Sequence, residues 1–135
     1  MADTAPNYKV GEIFEDCELV SAEYAGDIAA GDPLKITGKN ADSLPKVQKH
    51  TGTGKARYVA AYAGASGLIT DVILRGTTKV KSIKKWAAGG LVSCHDGGFE
   101  IDASGTTSIP VGYGYGAVAA DNDYTLIYFH GAMGR

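Results

Sequence analysis

AGDIAAGDPLKITG (residues 25–38) and ASGLITDVILRGTTKVKS (residues 65–82) enclose the part of the chain from which the fold class is predicted. Between them lie PKVQKH (residues 45–50) and KARYVAAYAG (residues 55–64). Each piece is short, rich in β-branched or aromatic residues, and bounded by Gly, Pro, Asp or Asn, which is the pattern of strands joined by turns. Residues 55–63 also fit a helix, since Tyr58 and Tyr62 are four positions apart, but the flanking glycines favour a strand. No piece carries a catalytic motif. The stretch therefore predicts a small antiparallel β-domain that acts through its surface.

The composition bounds the class of protein. A chain of 135 residues favours one domain, and 44% hydrophobic residues are enough for a packed core. The 19 glycines disfavour helices and permit tight turns. A net charge of -2 gives no reason to expect nucleic acid as a partner. No apolar run approaches the length of a membrane span, so we expect no membrane partner.

The termini and cysteines indicate where the protein is made. The N-terminus lacks the basic region and apolar run of a secretory signal. Cys17 and Cys94 are too few for a disulfide framework, so free thiols are favoured over a single bridge. Synthesis in the reducing cytoplasm of a host fits best.

The rest of the chain extends the same strand pattern. Further strands are expected at residues 19–24, 91–94, 99–101, 109–118 and 124–129, with turns at residues 75–78, 95–98, 103–107 and 121–123. The segment at residues 68–74 is almost entirely apolar and predicts a central, well-buried strand. No exact internal repeat is found. The expected fold is all-β, a compact antiparallel β-sandwich or barrel of about eight to ten short strands.

The N-terminal residues read differently from the rest. Residues 1–20 predict an extended N-terminal arm, and residues 21–135 a single β-domain. Helical spacing is found for the apolar residues Ile13, Phe14, Cys17 and Val20, so a helix and an irregular segment stay equally open. A third possibility is an arm that becomes ordered only against a partner.

Two short motifs resemble catalytic or ligand sites but lack their chemistry. HTGTGK (residues 50–55) departs from a phosphate loop because Lys49 stands where Gly is needed and Ala56 follows the lysine, so residues 51–54 predict a hairpin tip. Cys94, His95 and Asp96 are adjacent on a strand and alternate between its faces, so they cannot converge on one metal ion. We expect no catalytic residue, no cofactor and no metal.

One basic cluster has three interpretations. It comprises Arg75, Lys79, Lys81, Lys84 and Lys85. The favoured interpretation is a solvated strand whose lysines discourage edge pairing. The alternatives are an acidic protein partner and, less favoured, nucleic acid.

Three aromatic residues are candidate interface anchors. Tyr113 and Tyr115 share one strand face, with Gly112, Gly114 and Gly116 on the other, where a backbone or a ring can lie close. The two tyrosines are therefore jointly buried or jointly on a contact surface. Core filling and interface anchoring are equally open for Trp86.

The order of turns and strands resembles a known family. AAGDPLKITG (residues 29–38), GLITDVILRGTTKV (residues 67–80), WAAGGLV (residues 86–92) and VGYGYGAVAADNDYTLIYF (residues 111–129) are similar to pieces of the capsid cement, or head decoration, proteins of tailed phages and related viruses. The resemblance covers about three quarters of the chain. The acidic N-terminal segment and the doubled Gly-Tyr unit depart from the family pattern.

The resemblance implies a non-enzymatic structural virion protein on the outer surface of the capsid. It would clamp neighbouring subunits of the major capsid protein and self-associate, with a trimer favoured and a dimer possible. Deleting residues 2–18 is then expected to abolish capsid attachment and leave a folded body. The residues expected at a capsid or subunit interface are Tyr8, Ile13, Phe14, Trp86, Tyr113, Tyr115, Lys81, Lys84 and Lys85.

Two other classes stay open. A carbohydrate- or cell-surface-binding β-module would present exposed aromatic residues in a shallow groove. A small enzyme on a β-barrel would have a pocket with convergent polar groups. The sequence contains no motif for either.

Overall fold

The computed structural model describes residues 7–52, 56–86, 89–101 and 110–131. The described residues form strands and no helix, so they include no helix able to cross a membrane. The predicted all-β class is confirmed. The nine strands are β1 (Glu18–Tyr24), β2 (Pro33–Lys39), β3 (Pro45–Lys49), β4 (Tyr58–Ala60), β5 (Ile69–Ser82), β6 (Gly90–His95), β7 (Gly98–Ile101), β8 (Gly112–Gly114) and β9 (Asp123–Phe129).

The long strand β5 organises the molecule. The turn predicted at residues 75–78 is wrong, because β5 runs through it without a break. Its first half pairs with β1 as far as Arg75, and its second half pairs with β9 from Gly76 onward. Gly76 has a φ of 132°, a conformation that glycine adopts at little cost. The glycine therefore lets the strand change partners where a tight turn was expected.

Two five-stranded barrels share β5. In the first unit (residues 18–75), the strands pair in the closed order β1-β3-β2-β4-β5, and β5 pairs back with β1. In the second unit (residues 76–129), β5, β7, β6, β8 and β9 repeat this order, and β9 pairs back with β5. Most pairings are antiparallel as predicted. The two parallel pairings, β1 with β3 and β5 with β7, occupy the same place in each unit.

The register shows which residues are equivalent. Tyr24 pairs with Val47 in the first unit as Ser82 pairs with Phe99 in the second. An isolated bridge then joins Ile28 to Gly64, and its counterpart joins Trp86 to Val118. The sequence does not show this internal repeat because different residue types fill equivalent places.

Each barrel has its own apolar interior. The first-unit cluster contains Ala22, Tyr24, Ile28, Leu34, Val47, Tyr58, Ala60 and Val72. The second cluster contains Val80, Trp86, Val92, Cys94, Phe99, Val111, Val118, Ile127 and Phe129. Ala56, Val59, Ala61 and Ile73 of the first unit also belong to the second cluster. The junction between the units is therefore itself a packed core.

The N-terminal segment, residues 7–17, lies against this junction. The Gly11 N–H donates to the Lys79 carbonyl at 2.8 Å. Asp16 accepts hydrogen bonds from the backbone N–H and the hydroxyl of Thr77, at 2.9 and 2.7 Å. Ile13 and Cys17 pack against the second cluster. β1 begins at Glu18, three residues before the predicted start of the β-domain.

Several local predictions have clear outcomes. The hairpin at residues 95–98 is confirmed, with Asp96 and Gly97 at φ values of 49° and 79° between β6 and β7. The β3–β4 hairpin predicted around residues 51–54 is not formed, because β3 and β4 each pair with β2; residues 53–55 lie outside the described residues. Both cysteines are free, as favoured. The turn predicted at residues 103–107 and residues 1–6 of the predicted arm lie outside the described residues.

The strand predicted at residues 68–74 is central but only partly buried. Val72 and Ile73 are fully buried, whereas Leu68 and Ile69 are 40% and 50% exposed. Pairing between β5 and β1 ends at Ile69. The apolar run therefore extends beyond the part of the strand that the core covers.

Candidate functional site

A tyrosine-rich surface covers one side of the second unit. Leu91, Tyr113 and Tyr128 lie opposite one another on β6, β8 and β9. Leu91 and Tyr113 are 42% and 54% exposed, and nearby Tyr115 is 59% exposed. We call these four residues the tyrosine face. Of the two arrangements that the sequence allowed for Tyr113 and Tyr115, the exposed one is observed.

Glycines on the opposite face of β8 explain why the tyrosines point outward. A Cβ at Gly114 would lie 3.1 Å from Cζ2 of Trp86, and one at Gly112 would collide with the Tyr128 carbonyl. The prediction that these glycines admit a ring and a backbone is confirmed. Larger residues fit only at the alternate, outward positions of the strand.

Tyr115 is held in place by a polar chain. Its hydroxyl lies 3.1 Å from the Thr77 hydroxyl, which donates to Asp16. The ring borders an open cavity of about 180 Å³, lined also by Gly116, Ala117, Thr125 and Leu126. The hydrogen bonds link the tyrosine face to the N-terminal segment and restrict the motion of one exposed ring.

Trp86 fills the core of the second unit. The residue is 6% exposed, and its indole Nε1–H donates to the Gly116 carbonyl. A buried indole N–H needs such an acceptor. The sequence left core and interface roles equally open for Trp86, and the structure places the ring in the core.

The predicted basic cluster is not one surface. Lys84 and Lys85 are exposed in the connection from β5 to β6, whereas Lys81 is half-buried beside a small cavity. Lys79 is 3% exposed, and its Nζ donates to the Tyr8 carbonyl at 2.8 Å. Arg75 lies 3.5 Å from Glu18. The favoured interpretation, a solvated strand, is wrong for Lys79, which is buried, and β5 is flanked there by β9 and, at Ser82, by β7.

A cleft lies between the N-terminal segment and the end of β4. Its volume is about 340 Å³, and it is lined by Lys9, Gly11, Glu12, Ile13, Ala61 and Tyr62. The Tyr8 and Phe14 rings, with centroids 4.9 Å apart, belong to the same segment. Tyr8 and Tyr62 are 39% and 45% exposed. We call this region, with Tyr8 and Phe14, the N-terminal cleft; it brings together the three predicted interface residues of the segment.

A third surface was missed by sequence reasoning. Leu68 and Ile69 are exposed at the start of β5, and Asp71 is exposed on the same strand face as Ile69. Leu68 abuts Gly64, which is bridged to Ile28, and exposed Asp27 adjoins that bridge. We call Asp27, Leu68, Ile69 and Asp71 the acidic patch. The acid inside an apolar run was the only sequence signal for it.

The Cys94 thiol is buried, whereas the neighbouring His95 imidazole is partly exposed. Burial raises the pKa of the Cys94 thiol to about 12 and also raises the pKa of Cys17. His95 lies 3.4 Å from Asp96 and 3.5 Å from Glu100, while Cys94 faces the barrel interior. Among the described residues, no group of three or more His, Cys, Asp or Glu side chains is arranged to hold a metal ion.

Comparisons with known proteins place the fold. No protein-family model matches the sequence, and no curated protein matches it. The chain is similar in structure to the head fiber gp8.5 N base of bacteriophage phi29, with a TM-score of 0.65 and 15% sequence identity. The match covers 84% of this chain and 93% of that one. At this identity the likeness concerns the fold.

Proposed function

We propose that this protein is a structural component of a phage virion that binds the outer surface of the capsid. It stabilises the shell by contacting neighbouring subunits of the major capsid protein, acts without catalysis, and does so as a homo-oligomer, with a trimer favoured. It is made in the host cytoplasm and needs neither nucleic acid nor a membrane as a partner.

The observation that carries this proposal is the fold shared with the phi29 head fiber N base. The match extends over 93% of that chain, so it concerns a whole head-associated body and not one hairpin. The resemblance of the turn and strand pattern to head decoration proteins also supports a virion role, and it rests on the sequence and not on the fold comparison. Binding of many copies would strengthen the shell by avidity even where each contact is weak.

The N-terminal cleft is the surface we assign to the capsid. It combines the exposed Tyr8 and Tyr62 rings with a concave surface and the charged residues Lys9 and Glu12. Exposed rings beside a cleft are typical interface anchors, since a rigid ring gains contact area at a low entropy cost. The segment is fixed to the body by the hydrogen bonds of Gly11 and Asp16, so the surface is formed before binding.

These contacts change the test. A deletion of residues 2–18 would remove Ile13 and Cys17 from the core junction and leave Lys79 without the Tyr8 carbonyl, so loss of binding would be confounded by unfolding. Point substitutions avoid this problem. Tyr8→Ala and Phe14→Ala remove the exposed Tyr8 ring and the half-buried Phe14 ring beside it, while the backbone hydrogen bonds of the segment stay in place.

The experiment is co-sedimentation with empty capsids assembled from the major capsid protein of the same genome. The unaltered protein should pellet with the capsids at a saturable ratio. The Tyr8→Ala/Phe14→Ala variant should pellet at least about tenfold more weakly, as expected for loss of interface anchors. Ile36→Ala, at an equally exposed position in the first unit, should bind normally. An unaltered, folded protein that never enters the pellet would refute the proposal.

A further inference from the structure

The two units differ in whether the same face is covered. In the first unit, Val59 and Ile73 are fully buried, because the second cluster includes them and Ile13 packs against it. The register makes Tyr113 and Tyr128 their counterparts in the second unit. Tyr113 is exposed and Tyr128 is half-buried. The apolar face of the first unit is therefore covered within the same chain, whereas the equivalent face of the second unit is exposed to solvent.

A terminal unit with an apolar outer face is unusual for a repeat that stands alone. End units of stacked repeats usually carry a polar outer face, because nothing follows them. Here the row across the open face is Leu91, Tyr113 and Tyr128, without a charged side chain. The composition is that of a contact surface and not of a solvated end.

The charges beside the exposed apolar surfaces have opposite signs in the two units. The register matches Glu23 of the first unit with Lys81 of the second. The connection that follows each of these strands carries Asp27 in the first unit and Lys84 and Lys85 in the second. The acidic patch also contains Asp71. The first unit thus presents an exposed apolar surface with acidic residues, and the second unit presents one with basic residues.

The nearby opposite charges do not cancel this difference. In the first unit, Lys46 lies 4.0 Å from Glu23, and Asp27 and Asp71 form no ion pair within the described residues. In the second unit, Asp121 accepts a hydrogen bond from the Lys85 backbone N–H, and the Lys85 ammonium group does not take part in that hydrogen bond.

The basic connection and the tyrosine face are neighbours in space. Trp86, which directly follows Lys85, is bridged to Val118 through both backbone hydrogen bonds, and its indole donates to Gly116. Gly116 directly follows Tyr115. Lys84 and Lys85 are therefore fixed at the end of the barrel where Tyr115 is exposed.

We infer that the tyrosine face, with Lys84 and Lys85, binds the acidic patch of a second copy of this chain. The contact is head-to-tail: the second unit of one copy meets the first unit of the next, so that apolar groups pack centrally and opposite charges meet at the rim. A head-to-tail contact closes into a ring when its rotation permits. The inference adds a contact surface to the self-association included in the proposed function.

The first test measures self-association of the isolated protein by sedimentation equilibrium. Tyr113→Ser/Tyr115→Ser should raise the dissociation constant at least about tenfold, as expected when central aromatic anchors are lost. Tyr8→Ala, on the N-terminal cleft, should leave the constant unchanged. Circular dichroism should show that both variants are folded. A protein that is monomeric at every concentration, or a double serine variant that associates normally, would overturn the inference.

The second test uses charge reversal with rescue. Lys84→Glu/Lys85→Glu and Asp27→Lys/Asp71→Lys should each weaken self-association, and a mixture of the two variants should associate again, because each supplies the charge that the other has lost. Lys35→Glu/Lys39→Glu makes the same change in net charge at exposed positions of β2 and should have no specific effect. Failure of the mixture to associate would exclude the proposed pairing of surfaces.

Salt dependence and binding of an alternative ligand give two further tests of the contact. Raising the salt from about 0.1 M to about 1 M shortens the Debye length from about 10 Å to about 3 Å and should weaken the unaltered contact. Because no capsid is present, this inference can fail while capsid binding stands, and capsid binding can fail while self-association stands. A monomer whose tyrosine face instead binds a glycan, seen by shifts of the Tyr113 and Tyr115 resonances, would overturn the inference.

Discussion

The two units of this protein have one strand topology and two different interiors. At three equivalent positions the first barrel places Tyr24, Ile28 and Val47, and the second places Ser82, Trp86 and Phe99. The largest side chain is thus at a different position in each barrel. The topology fixes where side chains point, while the filling of the interior depends on the total volume of its residues.

The outer surfaces differ as strongly as the interiors. Val59 and Ile73 in the first unit are replaced by Tyr113 and Tyr128 in the second. The apolar pair lies under the N-terminal segment and the junction, and the tyrosine pair reaches solvent. Equivalent positions therefore follow their tertiary surroundings, and the comparison between the units can be tested at the level of single side chains.

The largest expected effect is the loss of the Trp86 ring. Trp86→Ala should lower the free energy of unfolding by about 3–5 kcal/mol, because a large buried side chain leaves a cavity. Ile28→Ala, at the equivalent position, should cost about 2–5 kcal/mol and less than the tryptophan variant. Guanidinium unfolding followed by circular dichroism measures both. Leu91→Ala is the exposed control, expected within about 0.5 kcal/mol of the unaltered protein; a similarly small loss for Trp86→Ala would contradict the core assignment.

A smaller effect tests why β8 carries glycine. Gly114→Ala should cost about 1–3 kcal/mol, because its Cβ would press on the Trp86 ring 3.1 Å away. The first unit combines Ala60 with Ile28 at the equivalent positions, so Trp86→Ile should relieve part of this cost. A double-mutant cycle should therefore show coupling of about 0.5–3 kcal/mol.

Gly116→Ala is the matched control, since nothing lies within 4 Å of its Cβ position. Additive effects of Gly114→Ala and Trp86→Ile would mean that the glycine serves another purpose than making room for the ring.

The next effect concerns the polar group inside the first barrel. The Tyr24 hydroxyl donates to the Tyr62 carbonyl at 2.6 Å, and its counterpart Ser82 is too short for such a contact. Tyr24→Phe should cost about 1 kcal/mol, because the carbonyl loses its partner. Thermal unfolding measures the change, and Tyr113→Phe at an exposed position is the control. Equal stability of the two variants would indicate that the hydroxyl contributes nothing.

The same side chain gives the first unit an alkaline limit. Burial, with a contribution from Asp32, raises the pKa of Tyr24 from 10.0 to about 12. The folded state therefore holds the phenolic proton more tightly than the unfolded state does, and this stability is complete below pH 10 and is lost between about pH 10 and 12. Tyr24→Phe should make the free energy of unfolding depend less steeply on pH in that range.

The smallest expected effect is an acid sensitivity of the first unit. Burial, followed by the charge of Lys35, lowers the pKa of His50 below 6.5. The unfolded state then binds this proton first, so stability falls as the pH drops through about 6.5 towards the folded-state value. His50→Gln should flatten the pH dependence of the free energy of unfolding between pH 7 and 5, measured by denaturant unfolding at each pH. His130→Gln is the control, and an unchanged slope for His50→Gln would exclude the effect.

Much of the fold was readable from local pattern. Alternation and turn residues located β1, β2, β3, β6 and β9, and Asp96-Gly97 correctly predicted a hairpin. These features depend on residues that are close together in the sequence, so the sequence pattern alone predicts them. The candidate site was only partly predictable: the glycines of β8 indicated that its tyrosines share a face, but not whether that face meets core or solvent.

Local sequence patterns indicated the all-β class, the positions of most strands and the alternation of small and large residues on β8. Only the folded structure shows that Gly76 continues a strand, that two barrels share this strand, that Trp86 is core and that Leu68 and Ile69 are exposed. The physical reason is range. Turns and alternation arise from contacts between near neighbours, whereas burial and tertiary hydrogen bonds join residues far apart in the sequence, such as Tyr8 and Lys79, which are 71 positions apart.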